Sequence, residues 1–204
     1  SSDAGELVLH YQPLVSLPDQ EVIGCEALLR WAHPTQGLLM PDEFLPVAES
    51  QGSAALLDAV VLREACAAAA EWARLGSPWT ISVNLGRSSM IDPTLADRVQ
   101  RVLAATGLPA NRLNLEITEH DQLPPDAGRA ALQRLVRLGV AVSLDDFGTG
   151  YTSLAYLQRY PISVLKLDRS VTGVGQRNQS TALLAGVVGL ADALGIAVLA
   201  EGVE

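Results

Sequence analysis

Several polar residues interrupt apolar runs at places where only chemistry would keep them. Asn84 follows Ile81-Ser82-Val83, and Glu116 follows Leu113-Asn114-Leu115. Asp145 and Asp146 follow Val142-Ser143-Leu144, and Glu201 follows Val198-Leu199-Ala200. Lys166 lies within Val164-Leu165-Lys166-Leu167-Asp168, and Glu26 sits inside the apolar run Val22–Leu29. Taken singly, each acid reads equally well as a helix cap or a solvated loop charge. As a set at the ends of strands that converge on one mouth, the acids would repel one another and take up protons unless a cation were held between them. An all-oxygen donor set of Asp, Glu and Asn suits Mg²⁺ or Mn²⁺, and the three histidines are not spaced for zinc. The adjacent pair Asp145-Asp146 suits a bridge between two ions.

Lys166 is the only lysine among 14 basic residues. A chain that uses arginine everywhere else and keeps one compact ammonium points to a specific task. That task is to orient an attacking water, to stabilise phosphate charge, or to pair with a nearby acid. After the acid pair comes Phe147-Gly148-Thr149-Gly150-Tyr151-Thr152, whose two glycines give a flexible loop able to close over a site. It is not a dinucleotide fingerprint, because Ser153 stands where a third glycine is needed, and its acids are not spaced as in a calcium loop.

The elements that must position these groups follow from periodicity. Strand-like runs fall at 7–11, 22–29, 80–85, 113–117, 140–144, 164–167 and 197–199. Helical patterns fall at 54–75, 94–105, 126–138 and 181–194, with Gly139 and Gly195 where C-caps belong. Alternating strands and helices predict βαβ units and a mainly parallel sheet. The first two runs are joined only by Ser16–Glu21, so they form an antiparallel hairpin. The expected fold class is α/β, a TIM-like (β/α)8 barrel with an antiparallel first strand. Seven strands are counted, so the eighth is expected beyond Glu204, and residues 1–204 read as one domain cut at both ends.

Composition narrows the function. The chain has 204 residues, 49% hydrophobic and only 4% aromatic, so Ala, Val, Ile and Leu must build the core. A net charge of −9 argues against a DNA or RNA duplex as partner. Two cysteines make no disulfide framework and suit a reducing, cytoplasmic setting. No run reaches the ~20 apolar residues of a membrane span, so no membrane contact is expected from this segment, although a longer parent protein could be anchored.

Together these motifs resemble the EAL domain family, the phosphodiesterase module for cyclic di-GMP. The resemblance rests on Glu26-Ala27-Leu28-Leu29-Arg30-Trp31, Tyr11-Gln12-Pro13, Phe44-Leu45-Pro46, Ser82-Val83-Asn84-Leu85, Leu115-Glu116-Ile117-Thr118-Glu119, Asp145 to Tyr151, Leu165-Lys166-Leu167-Asp168-Arg169-Ser170 and Ala200-Glu201-Gly202-Val203-Glu204. It implies hydrolysis of cyclic di-GMP to linear pGpG with two Mg²⁺ or Mn²⁺ ions. It implies that Glu26, Asn84, Glu116 and Asp145 hold one ion, and that Asp145 and Asp146 hold the second, with Glu201 a ligand through water or a base. Lys166 matches the lysine beside the attacking water, so Lys166, Glu201 and Glu26 are the implied catalytic residues. Gln12, Arg30 and Asp168 match substrate contacts, and Glu119 and Glu204 match loop-positioning residues. His120 stands in place of a usual serine, and Thr152 is a milder change. A homodimer and further domains of a larger parent protein belong to the same expectation. The alternative is a module that binds cyclic di-GMP without cutting it.

Overall fold

The first strand, β1 (Leu7–Val15), turns through Ser16–Glu21 into β2 (Val22–His33), and the two pair antiparallel from Leu7↔Trp31 to Val15↔Val22 with a slip at Leu14/Val15. The turn is closed by the Ser16 hydroxyl, which donates to Asp19, and by Gln20 in the left-handed region at φ 58°. The computed structural model describes residues 5–118, 125–149, 154–172 and 179–202. Its packing divides into two compact units, Ser1–Asn114 and Leu115–Glu204.

In the first unit, β3 (Gly37–Leu39) adds to β2 antiparallel, and α1 (Pro41–Ser50) and α2 (Ala54–Arg74) lead to β4 (Thr80–Asn84). β4 pairs with β2 in parallel, Gly24↔Thr80 through Ala27↔Val83. Gly24 is required here: a Cβ on it would lie 2.3 Å from the Thr80 hydroxyl oxygen and 2.8 Å from the Thr80 carbonyl oxygen. α2 packs on β4 and β2, with Leu62, Ala65, Cys66 and Ala69 buried. Small side chains let the helix lie close to the sheet, and alanine adds helix propensity at no rotamer cost. α3 (Arg87–Met90) and α4 (Leu95–Thr106) follow, α4 ending at Gly107 in the left-handed region. β5 (Leu113–Thr118) begins in this unit and runs into the next.

The second unit orders its strands β5, then β6 (Ala141–Phe147), β7 (Val164–Leu167) and β8 (Ala197–Ala200). Between them lie α5 (Pro125–Arg137), α6 (Leu154–Arg159), α7 (Arg169–Thr172) and α8 (Gln179–Leu194). The β6–β7 and β7–β8 pairs are parallel. Leu115 and Ile117, Val142 and Leu144, and Leu165 and Leu167 are buried two residues apart, so one face of each strand is apolar, while the alternate positions carry Glu116, Ser143, Asp145 and Lys166. Leu132 and Leu135 supply the buried stripe of α5. Gly139 and Gly195 follow α5 and α8 with φ of 91° and 69°, the C-cap conformation expected of them.

All seven strands read from the sequence are present, and the four longer helices start and end within a few residues of their expected bounds. β3, α1, α3, α6 and α7 were not anticipated. Three of them span four residues or fewer, too short for a periodic signal. β3 is antiparallel and pairs only with β2, so it does not stand in for a further parallel strand. No helix among the described residues is long and apolar enough to cross a membrane.

Two predictions follow from this packing. Replacing Gly24 by alanine should cost about 1–3 kcal/mol of stability in urea unfolding, because the Thr80 backbone cannot retreat. Burial pushes the Cys25 thiol up to about 11 and the Cys66 thiol up to about 12. At pH 8, therefore, about one thiol in a thousand or fewer is ionised, and a disulfide-exchange reagent should label neither cysteine until denaturant is added. Because both values are raised on folding, this contribution to stability is complete below pH ~9 and is lost as the pH climbs towards the folded values.

Candidate active site

In the first unit, Glu26 lies in the middle of β2 and is almost fully buried. The register sets Gln12 of β1 directly opposite it. The Asn84 amide, at the end of β4, donates to Glu26 Oε1 at 2.7 Å. Asn84 is held from behind: Leu85 is buried, and the next residue, Gly86, donates its N–H to Asp58 Oδ2 of α2 at 3.1 Å. Asp58 is a residue the motif pattern does not reveal. Its signal in the sequence is the first acid of an otherwise alanine-rich helix. Below Asn84 on β4, buried Ser82 accepts from the Asn114 amide at 2.9 Å. Arg30 also lies on β2 and donates to the Leu29 carbonyl at 2.8 Å.

The second unit gathers its charges on one ammonium. Lys166 Nζ, 2% exposed, donates to Glu116 Oε2 at 2.7 Å and to Asp145 Oδ2 at 2.9 Å, and lies 3.3 Å from Glu201 Oε1. Three carboxylates converge on one ammonium, and like charges this close repel. The Glu116 side chain is 0% exposed and the Glu201 side chain 37% exposed. A buried carboxylate cannot shed that repulsion into water, so a divalent cation is the natural counter-charge. Oxygens of Glu116 and Asp145 approach within 4.8 Å of each other, and the all-oxygen donor chemistry fits a hard dication. The sequence left open whether Lys166 pairs with an acid or serves a reaction; the structure shows the pairing, with three acids at once.

Asp145 and Asp146 owe their arrangement to a β-bulge. Leu144 pairs with Leu165 and Phe147 with Leu167, so β6 spends three steps where β7 spends two. Asp146 takes φ 57°, and its N–H donates to Asp145 Oδ1 at 2.9 Å. In an unbroken strand, adjacent side chains point to opposite faces; the bulge cancels that alternation at the acid pair.

Gly148, the first residue after β6, is closely packed. Gly148 has φ 107°, and a Cβ there would lie 2.1 Å from a Val171 methyl of α7. One residue on, the Thr172 hydroxyl donates to the Glu201 carbonyl at 3.1 Å, and the Glu201 N–H donates to Leu167. The glycine read as a source of flexibility is thus also a packing necessity. Asp168 precedes α7 and accepts the Ser170 N–H at 2.8 Å. Hydrogen bonds from the Ser170 side chain and backbone hold its carboxyl below the usual carboxylate range. Glu119, Glu204 and Tyr151 lie outside the described residues.

Comparison with known proteins follows the same lines. The EAL domain family profile matches residues 1–204. The chain is 47% identical over 202 residues to an uncharacterized signaling protein of Caulobacter vibrioides, covering 98% of this chain and 24% of the relative. It is 42% identical over 202 residues to the bifunctional diguanylate cyclase/cyclic di-GMP phosphodiesterase MucR of Pseudomonas aeruginosa, covering 98% of this chain and 30% of the relative. The chain therefore spans under a third of the length of these relatives. The solved PaMucR phosphodiesterase in complex with c-di-GMP superposes with a TM-score of 0.90 at 42% identity, over 98% of this chain and 82% of that one. The chain belongs to the EAL domain family, and its α/β fold is that of the family's solved structures.

The ammonium at the centre of the second unit yields a stability prediction. Replacing Lys166 by methionine removes the ammonium that the buried Glu116 and Asp145 carboxylates face. In EDTA-containing buffer this should cost about 3–5 kcal/mol, read from the urea midpoint.

Proposed function

We propose that this EAL domain hydrolyses one phosphodiester bond of cyclic di-GMP to give linear pGpG, with two Mg²⁺ or Mn²⁺ ions bound. The observation that carries the reading is the Lys166 ammonium bonded to Glu116 and Asp145 with Glu201 alongside. Glu26, Asn84, Glu116 and Asp145 hold one ion in this reading; Asp145 and Asp146 serve the second, with Glu201 a ligand through water or a base.

When bound, the ions reverse the negative charge, accept the phosphate and make a water acidic enough to ionise near neutral pH. The protein's own groups divide the remaining work by exposure. Fully buried Glu116 is suited to ligation alone. Glu201, partly open to solvent, is suited to take the proton of the attacking water and pass it to bulk. Lys166 has three N–H donors, and with dications offsetting the acids it can turn one towards the water or a phosphate oxygen. The water oxygen bonds to phosphorus, the 3′ oxygen leaves and takes up a proton, and the cyclic dinucleotide opens. Gln12 and Arg30 contact the substrate in this reading, as does Asp168, which the Ser170 hydrogen bonds keep ionised. Glu119 and Glu204 hold the loop after β6. We place the domain in the cytoplasm, as one part of a longer signalling protein and able to pair with a second copy.

The test is chromatographic. With Mg²⁺ or Mn²⁺ the protein should convert cyclic di-GMP to pGpG, and EDTA should abolish conversion. Glu26→Ala and Lys166→Ala should each lower kcat at least about a hundredfold while circular dichroism reports a folded chain. Full activity in both variants would overturn the reading. Tight binding without turnover by the natural chain would make it a binding module instead.

A further inference from the structure

We propose that His10 is a further substrate-contacting residue, donating a hydrogen bond to a guanine base of cyclic di-GMP; this rests on the function proposed above. The β1–β2 register pairs Gln12 with Glu26, His10 with Leu28 and Val8 with Arg30. Alternate residues of a strand share a face, and directly paired residues lie on the same side of a sheet. Gln12, His10, Glu26, Leu28 and Arg30 therefore form one surface. The parallel β2–β4 register runs Glu26↔Ser82 and Ala27↔Val83, and one more step brings Leu28 level with Asn84. Rows of this surface are two residues apart, about 6.7 Å at ~3.3–3.4 Å per residue. The lower row carries Glu26, the proposed ligand. The next row carries His10 and Leu28, and the highest carries Arg30.

A phosphate held at the level of Glu26 places its ribose and base about one row higher, beside His10 and Leu28. Leu28 offers an apolar contact to the base face. Guanine presents N7 and O6 as acceptors, and an imidazole N–H is a donor of the right length for either.

His10 is exposed, and among the described residues its ring makes no hydrogen bond and no ion pair. The other described histidine contrasts with it. His33 Nδ1 accepts from the Thr35 N–H at 3.3 Å and the Gln36 N–H at 3.2 Å, and its ring meets Trp31 edge-on. The imidazole of His33 closes a turn; that of His10 has no such task among the described residues. Exposed on the face that carries Glu26, it stands as a donor between Gln12 and Arg30.

Calorimetric titration with cyclic di-GMP tests this, using Ca²⁺ in place of Mg²⁺ or Mn²⁺ to slow turnover. His10→Ala should raise the Kd about three- to tenfold, the weight of one neutral hydrogen bond. His10→Gln, which keeps a donor, should bind within about twofold of the natural chain. Mn²⁺ affinity measured without nucleotide should be the same in all three. Unchanged binding by His10→Ala overturns the proposal. So does His10→Gln binding as weakly as His10→Ala, or a parallel loss of Mn²⁺ affinity. If the natural chain itself does not bind cyclic di-GMP, the function proposed above fails, and this contact falls with it.

Discussion

Three carboxylates drawn onto one buried ammonium are the constraint on which the second unit turns. Lys166 bonds two of them directly, and its strand neighbours Leu165 and Leu167 are buried. Such a cluster is costly to fold, since each ion loses hydration that its partners only partly replace. Stability alone would favour leucines in these positions. The acids make sense as a store of electrostatic demand that a hard cation satisfies, so that ion affinity and folding cost are two sides of one free energy.

The backbone does as much as the charges. A regular β6 would send Asp145 and Asp146 to opposite sides of the sheet; one inserted residue and a left-handed Asp146 undo this. α7 then ties the turn after β6 to the end of β8, through Val171 against Gly148 and Thr172 on the Glu201 carbonyl. In the first unit Asp58 does the comparable task for Asn84 by fixing Gly86. Asn84 and Glu201 are thus each held through the backbone beside them, as a precisely placed group requires.

Much of this was legible in the sequence, for identifiable reasons. The long strands and helices were readable because periods of 2 and 3.6 leave distinct apolar patterns, as in Ala54–Arg74 and Pro125–Arg137. Glu116, Asp145, Lys166 and Glu201 stood out because a charge in an apolar run is costly unless paired, and the structure brings these four together. Glu26 and Asn84 were likewise singled out and are bonded to each other. The bulge was hidden, since Asp145-Asp146 reads the same in or out of register. Asp58 and Thr172 were hidden because each acts on a backbone group, which carries no residue identity. The packing role of Gly148 was hidden: a glycine that must avoid Val171 and one that confers mobility look identical as letters.

The order in which strands meet has a kinetic consequence. β1 and β2 are joined by the short Ser16–Glu21 turn, whereas β2 must wait for two helices to pass before β4 reaches it. Loop closure costs least entropy for the shortest connection, so the N-terminal pairing closes at lower cost than the parallel ones. Each later parallel strand in the second unit joins the one before it, β7 onto β6 and β8 onto β7. Assembly can therefore keep pace with the ribosome, each new strand finding its template already emerged.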